Sequence, residues 1–203
     1  NQQTKFKRFL SDATLISKNS VTDFTALITR IGWETEQAWG LILIRLVYNN
    51  PQMRWYIENL STGESYPRKS VEEMLTNIGQ SKKMARAIVL AFKRLCALPL
   101  GTKLNFGTVT LKGRQIKTLA RGKSTLEDNR VVLYALYKFA EACEGHYQFT
   151  LTRLLDHTVE SAGISPTQIF GFDRDDMVRF LNGLSAKYPD WLADHWQALP
   201  AGC

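Results

Sequence analysis

The chain has 203 residues, of which 44% are apolar, 22% are charged and 11% are aromatic. These proportions are typical of a folded globular protein and exclude the disordered, collagen-like and low-complexity classes. The longest apolar run, residues 38–48, contains Arg45 and is too short to span a bilayer. No apolar stretch follows the N-terminal cations, so we expect neither a membrane span nor a secretory signal.

Cysteine usage indicates the compartment. The three cysteines are unclustered and odd in number, which suits a reducing environment without a disulfide framework: Cys96, Cys143 and Cys203. We therefore predict a cytoplasmic protein. The chain does not begin with methionine, which is compatible with a fragment or a processed form.

The formal charge of +7 is unevenly distributed along the chain. Residues 1–73 carry nine basic and eight acidic side chains, and residues 74–126 carry eleven basic and no acidic ones. Residues 127–203 carry six basic and eleven acidic side chains. A carboxylate-free basic segment of this length is typical of a surface that contacts phosphate, although a solvated basic face is the alternative.

The N-terminal third is predicted to be helical, with one extended segment. Residues 1–34 form a polar helical lead with these expected apolar anchors: Phe6, Leu10, Leu15, Ile16, Phe24, Leu27 and Ile28. Thr35 is a suitable N-cap for an amphipathic helix over residues 36–48, which Asn49, Asn50 and Pro51 would end. The roughly alternating pattern of residues 53–60 predicts a short strand or extended arm.

The central segment predicts a helix-turn-helix. Ser70 and Glu73 have the spacing of a capping box, so a helix should begin at Val71 and end before Gly79. Ser81 then caps a second helix after a three-residue turn. The Gly-punctuated, β-prone residues 104–113 follow and predict a two-stranded wing.

The second predicted helix of this pair is the best candidate for contact with nucleic acid. Lys82, Lys83 and Arg86 oppose the helix macrodipole at its N-terminus, an unfavourable placement that an external anion would offset. Cations on the wing would contact flanking phosphates without regard to sequence. The candidate nucleic-acid-binding residues are Gln80, Ser81, Lys82, Lys83, Arg86, Lys93, Arg94, Lys103, Lys112, Arg114, Lys117, Arg121 and Lys123.

The C-terminal segment repeats this order of elements. The predicted helices cover residues 128–144, 151–161, 166–170 and 173–187, with a short extended piece at Tyr147–Phe149. We therefore predict a mainly α protein with two winged-helix-like units and short β-wings. Residues 1–34 are the lead, residues 35–126 the basic unit, and residues 127–203 an acidic unit expected to contact protein.

Residue patterns for catalysis or metal binding are weak. His146, His157 and His195 do not have metal-ligand spacing, and a Cys143–His146 pair would span a helix C-terminus. Residues 121–124 contain Gly-Lys-Ser without the upstream glycine of a phosphate-binding loop. We accordingly predict no catalytic residue, no metal site, no cofactor and no enzymatic activity.

Several C-terminal segments resemble one family. The segments are Val132–Glu141, Phe149–Leu151, Ser165–Gly171 and Leu184–Asp190. They are similar to helical segments that accompany bacterial phosphoadenosine-phosphosulfate-reductase-like proteins, which often occur beside DNA-modification and phage-defence genes. The resemblance covers about residues 30–190. It implies an accessory DNA-binding module whose partner is such a reductase-like protein, and the chain lacks the Ser-Gly-Gly-x-Asp-Ser loop that the catalytic domain needs.

Together these patterns predict a non-enzymatic nucleic-acid-binding protein, with duplex DNA favoured, possessing no membrane segment. The alternative is a protein-interaction subunit of a larger assembly, whose basic face binds an acidic partner. The sequence leaves the choice between DNA and RNA, the sequence preference and the oligomeric state open.

Overall fold

The computed structural model of the chain describes residues 2–145, 149–156 and 162–189. Most of these residues are helical, and the strands form two small antiparallel sheets, which confirms the mainly α class. The elements in chain order are α1 (Gln2–Asp12), β1 (Ile16–Ser17), β2 (Ser20–Val21), α2 (Asp23–Ile31), α3 (Glu36–Asn49), α4 (Pro51–Asn59), β3 (Ser65–Pro67), α5 (Arg68–Asn77), α6 (Lys82–Cys96), α7 (Pro99–Thr102), β4 (Gly107–Lys112), β5 (Gln115–Arg121), α8 (Asn129–Ala142), α9 (Leu151–Leu155), α10 (Pro166–Phe170) and α11 (Arg174–Lys187). Within the described residues, none of the helices combines the length and the apolar character that crossing a bilayer requires.

The N-terminal lead contains a β-hairpin that the sequence did not predict. Strands β1 and β2 join through Lys18 and Asn19, both at positive φ, as the favoured two-residue hairpin turn requires. Of the expected anchors, Leu15 and Ile28 are buried. The expectation for Phe6 and Leu27 is wrong, because both side chains are exposed.

Helix α3 is the central helix of the fold. Thr35 caps it as predicted, since its Oγ1 accepts a hydrogen bond from the backbone N–H of Ala38 at 3.2 Å. Its buried side chains surround almost the whole helix, because α2, α4, α7 and α8 all pack against it. The sequence predicted an amphipathic helix with one apolar face, and α3 is buried over more of its circumference than that.

The prediction of an extended segment at residues 53–60 is wrong, because this segment is helix α4. Pro51 follows the end of α3 and is also the first residue of α4, where its missing N–H costs nothing. Asn50 Oδ1 accepts hydrogen bonds from the N–H groups of Gln52 and Met53 at 2.9 and 3.0 Å. The helical spacing of Met53, Tyr56, Ile57 and Leu60 then buries one face.

The two helices of the predicted helix-turn-helix are present, with one boundary corrected. Helix α5 begins at Arg68 directly after strand β3, so the predicted capping box at Ser70 is wrong and Ser70 lies inside the first helical turn. The end of α5 is as predicted: Gly79 has a φ of +87°, and its N–H donates to the carbonyl of Thr76. Gln80 N–H closes the same motif by donating to the carbonyl of Leu75.

The larger sheet has the order β3-β5-β4, and both pairs are antiparallel. The predicted wing at residues 104–113 covers only β4 and its turn; the second strand, β5, extends to Arg121. A two-residue turn, Gly113 and Arg114, joins Lys112 to Gln115, and Gly113 adopts a φ of +61°. Between Thr110 and Leu111 the ladder shifts register, which leaves Lys117 as an extra residue on β5.

Four helices make up the described part of residues 127–189. Helix α8 follows the prediction closely, α10 ends at Gly171, and α11 begins with a reciprocal capping box between Asp173 and Asp176. No strand occurs after Arg121 in the ranges that the structure describes. Tyr147 of the predicted extended piece lies outside those ranges, and Phe149 is not in a strand.

One hydrophobic core runs through the described chain. Its buried side chains come from the lead, from α3 to β5, and from α8 to α11. Contacts between α3 and α8 and between α4 and α10 connect the basic and the acidic segments. The carbonyl of Phe170 also accepts a hydrogen bond from the N–H of Ser124 at 2.8 Å. The basic segment is therefore held on a packed scaffold.

Candidate nucleic-acid interface

Helix α6 is positioned by its N-cap and by the turn before it. The Oγ of Ser81 accepts a hydrogen bond from the backbone N–H of Met84 at 3.2 Å, as predicted for this cap. Gly79, at a φ of +87°, lies in the turn between α5 and α6, and the two helices pack against each other. The first turn of α6 is thus fixed by local chemistry as well as by packing.

The two sides of α6 differ sharply in character. Ala85, Ile88, Val89 and Phe92 are buried against the core. With 3.6 residues per turn, the opposite side of the helix carries residues spaced by three and four positions. The exposed residues on this outward face are Lys83, Arg86, Ala87, Leu90 and Arg94. The outward face therefore combines three cations with two apolar side chains.

The β4–β5 hairpin presents a second group of cations. Lys112 precedes its turn, and Arg114 is the second residue of the turn. Both side chains are exposed. Lys117, the extra residue of the bulge, is exposed as well, whereas its neighbour Ile116 is buried. Strand β4 packs against α6, so the hairpin lies beside the helix.

Few carboxylates neutralise these cations. Glu72 on α5 lies 3.9 Å from Arg86 Nε, but the same side chain pairs more closely with Arg68, at 2.5 Å. Within the described residues, the other cations of α6 and of the hairpin form no ion pair. The surface therefore keeps a positive charge that an external anion can neutralise.

Arg121 does not belong to this surface, so its assignment as a phosphate contact is wrong. Its side chain is buried, with a relative exposure of 5%. The Nη1 atom donates to the carbonyls of Ile57 and Leu60 at 2.6 and 3.0 Å, and Nη2 donates to the carbonyls of Gln168 and Ile169. Burial lowers the pKa of Arg121 to about 10, so the guanidinium stays charged at neutral pH.

Lys123 is exposed but already paired. Its Nζ lies 2.6 Å from Oδ2 of Asp173 and 2.6 Å from Oδ2 of Asp176, both at the start of α11. The hydrogen bond from Lys123, followed by the one from the Asp176 backbone, lowers the pKa of Asp173 to about 2. This triad carries a net negative charge, which makes Lys123 a poor phosphate contact.

The remaining predicted residues lie around α6 with different roles. Gln80 is half-buried in the turn, and the Ser81 hydroxyl is used by the cap. Lys82 and Lys103 are exposed, and Lys93 is half-buried at the edge of α6. The sequence-based choice considered cations and turn residues only, so it missed Ala87 and Leu90. Helical periodicity measured from the buried residues of α6 would have found both.

Features for other chemistry are sparse in the described ranges. No group of three or more His, Cys, Asp or Glu side chains there could hold a metal ion. All three histidines lie outside those ranges. Burial raises the pKa of the Cys96 thiol to about 11, which keeps it protonated and unreactive. A shallow cavity of about 280 Å³ lies between α1 and the β1–β2 turn and contains none of the predicted site residues.

Comparison with known proteins adds no assignment to this geometry. No protein family, curated protein or solved structure matches the chain. Its function must therefore be argued from the surface around α6.

Proposed function

We propose that the basic unit, residues 35–126, is a winged-helix unit that binds duplex DNA without catalysing a reaction. The order of its elements supports this proposal: α4, β3, α5 and α6 are followed by the short helix α7 and by β4 and β5, and the three strands form one antiparallel sheet. The sheet order β3-β5-β4 puts the β4–β5 hairpin at the side of the second helix of the pair. The proposal is limited to this unit, since the described part of residues 127–203 contains helices only.

The proposed binding mode follows from the exposed side chains. Helix α6 enters the major groove with its outward face toward the base edges. Lys83, Arg86 and Arg94 approach the groove walls, and the hairpin cations contact phosphates beside it. Each neutralised phosphate releases condensed counterions, which makes binding strongly salt-dependent.

One observation carries this proposal. The outward face of α6 and the neighbouring hairpin belong to a 53-residue segment, residues 74–126, that contains eleven cations and no carboxylate. Three cations of this segment have partners within the fold: Arg121 donates to backbone carbonyls, Lys123 pairs with two carboxylates, and Arg86 lies 3.9 Å from Glu72. The others are left for a partner with dense negative charge.

The first test is a salt series. Fluorescence anisotropy would be measured for a labelled duplex of about 25 base pairs, for single-stranded DNA and for structured RNA, at several salt concentrations. We expect the duplex to bind most tightly and to be released by salt. The triple variant Lys83→Ala/Arg86→Ala/Arg94→Ala should bind more weakly. The slope of the logarithm of the binding constant against the logarithm of the salt concentration should be smaller in magnitude by about 1 for each phosphate that is no longer neutralised.

A matched control separates this face from overall charge. Lys5, Arg30 and Arg153 are exposed cations on α1, α2 and α9, outside the basic segment, and form no ion pair with described residues. The variant Lys5→Ala/Arg30→Ala/Arg153→Ala should keep the wild-type slope. Equal losses of affinity in the two triple variants, or no duplex binding at low salt, would contradict the proposal.

A second candidate function is binding to an acidic protein. It is favoured by Ile78, before the α5–α6 turn, and Met84, in the first turn of α6, which are large exposed apolar side chains near the cations. The resemblance to segments of phosphoadenosine-phosphosulfate-reductase-like proteins suggests such a protein as the partner, in a DNA-modification or phage-defence setting. Failure of every nucleic acid in the salt series to bind would make this candidate the leading one.

A further inference from the structure

We propose that the outward face of α6 recognises the C5-methyl groups of thymine in duplex DNA, with Leu90 as the main contact and Ala87 beside it. This inference rests on the proposed function and specifies which bases the helix prefers. It concerns two apolar residues that carry no charge, so it is independent of how tightly the phosphates are held.

Leu90 is a large apolar side chain that the fold leaves exposed. A leucine side chain normally gains about 1.5–3 kcal/mol from burial, yet Leu90 is 45% exposed on a helix whose other side is well packed. Its neighbours on the outward face, Ala87 and Arg94, are exposed as well. Its exposed carbons are available to an apolar group on a binding partner.

Leu90 lies between cations on the surface of α6. Lys83, Ala87, Leu90 and Arg94 recur at intervals of four, three and four residues, so they form one stripe along α6. The stripe is about 16 Å long at 1.5 Å per residue. Its charged ends match the phosphate-lined edges of a groove, and its apolar middle is placed where the base edges lie.

Thymine differs from the other bases in the chemistry that it presents to the major groove. In the major groove, guanine, cytosine and adenine present hydrogen-bonding groups, and only thymine presents an apolar group, the C5-methyl. Alanine and larger apolar side chains favour that methyl. An apolar centre between cations is therefore complementary to the methyl groups of thymine steps.

Thymine and uracil provide the test, because they differ only by this methyl group. Two duplexes of about 24 base pairs, roughly two helical turns, would be compared by anisotropy at one salt concentration: alternating dA/dT and alternating dA/dU. In both, every binding register offers the same pairs. We expect wild type to bind the dA/dU duplex about fourfold more weakly for each methyl that is buried, from the transfer free energy of one methylene-sized group.

The variant and its control share the same exposure. Leu90→Ala should show a smaller preference for the dA/dT duplex than wild type, because the shorter side chain covers less of the methyl group. Met84 is also 45% exposed, but it lies at the side of α6, away from the stripe. Met84→Ala should keep the wild-type preference for the dA/dT duplex.

The outcomes separate this inference from the function on which it rests. Wild type that binds both duplexes equally, in a salt-dependent way, would overturn the thymine proposal and leave duplex binding intact. A preference that is undiminished in Leu90→Ala, or disappears in Met84→Ala, would overturn the assignment to Leu90. Binding to neither duplex at low salt would overturn the proposed function itself.

Discussion

Arg121 is a buried cation that is balanced by carbonyl dipoles instead of a carboxylate. Helices α4 and α10 both end beside its guanidinium, and the last carbonyls of a helix have no partner within the helix. Ile57 and Gln168 contribute two of these carbonyls. The positive charge also lies at the negative ends of both helices, where it is favourable. The Arg121 side chain thus donates hydrogen bonds to carbonyls at the C-terminal ends of two helices at once.

Replacing Arg121 should therefore destabilise the fold. In Arg121→Met the hydrophobic stem is retained and the donors are removed, so buried carbonyls are left without partners. We expect the free energy of unfolding to fall by about 2–4 kcal/mol, measured by urea denaturation. Arg114→Met, at the exposed hairpin turn, is the control and should change it by less than about 0.5 kcal/mol. Similar stability of the two variants would refute the capping role.

The sequence could not distinguish Arg121 from the other cations. Residue type and local spacing describe Arg114 and Arg121 in the same way, as basic residues at the two ends of β5. What differs is that α4 and α10 converge on the second residue, and the carbonyls that they contribute lie 47 or more positions away from it along the chain. Only the tertiary arrangement separates a structural arginine from a surface one.

At the scale of elements, the starts of α5 and α6 allow a direct test. Both Ser70 and Ser81 precede an apolar pattern, but only Ser81 accepts a capping hydrogen bond. We expect Ser81→Ala to lower the free energy of unfolding by about 1 kcal/mol, because the cap is removed. Ser70→Ala should be neutral or slightly stabilising, because alanine is the better residue inside a helix. Thermal or urea unfolding of both variants checks this, and equal destabilisation would place the start of α5 at Ser70 after all.

The elements that could be predicted are those whose local signals agree. For α3, α6 and α11, an N-cap, helical periodicity and a terminator all point to the same boundaries. For α4 these signals conflict, because Pro51 and the preceding asparagines fit the end of α3 and the start of a new helix equally well. The choice was made by burial, since the helical form packs Tyr56 against Phe92 and Phe106.

At the scale of the whole molecule, the acidic segment touches the basic one through a charged contact. Lys123 follows β5, and its two carboxylate partners begin α11. The predicted site was therefore too large at its C-terminal end, because charge in sequence does not reveal which cations are neutralised within the fold. Lys82, Lys83, Arg86 and Arg94 of α6 are exposed and have little local neutralisation, and their contact with nucleic acid stays a prediction.

This ion pair should make stability depend on pH in the acid range. The pKa of Asp173 is about 2 in the folded chain, against about 3.9 when unfolded, so the unfolded chain binds more protons between these values. The stabilisation is complete above about pH 4 and disappears as the pH falls toward 2. Both partners are largely exposed, so the contribution is under about 1 kcal/mol.

The measurement is the urea midpoint of wild type and Lys123→Met from pH 7 to pH 2. The two should differ above pH 4, converge toward pH 2, and differ less in high salt. Lys103→Met, which removes an exposed cation without an ion pair among the described residues, should follow wild type throughout. Parallel profiles for wild type and Lys123→Met would show that the ion pair does not form.

The bulge in β5 makes Lys117 a removable insertion. Ile116 and Leu119 are both buried although three positions separate them, which a regular strand forbids because its side chains alternate. Without Lys117 they would stand two positions apart, on the same side, opposite Leu111 and Val109 as they are now. The hairpin can therefore gain or lose this residue without turning its apolar side chains outward. Insertion or deletion of one residue at this position would therefore change the charge of the hairpin. The strand register on either side of the bulge would stay the same.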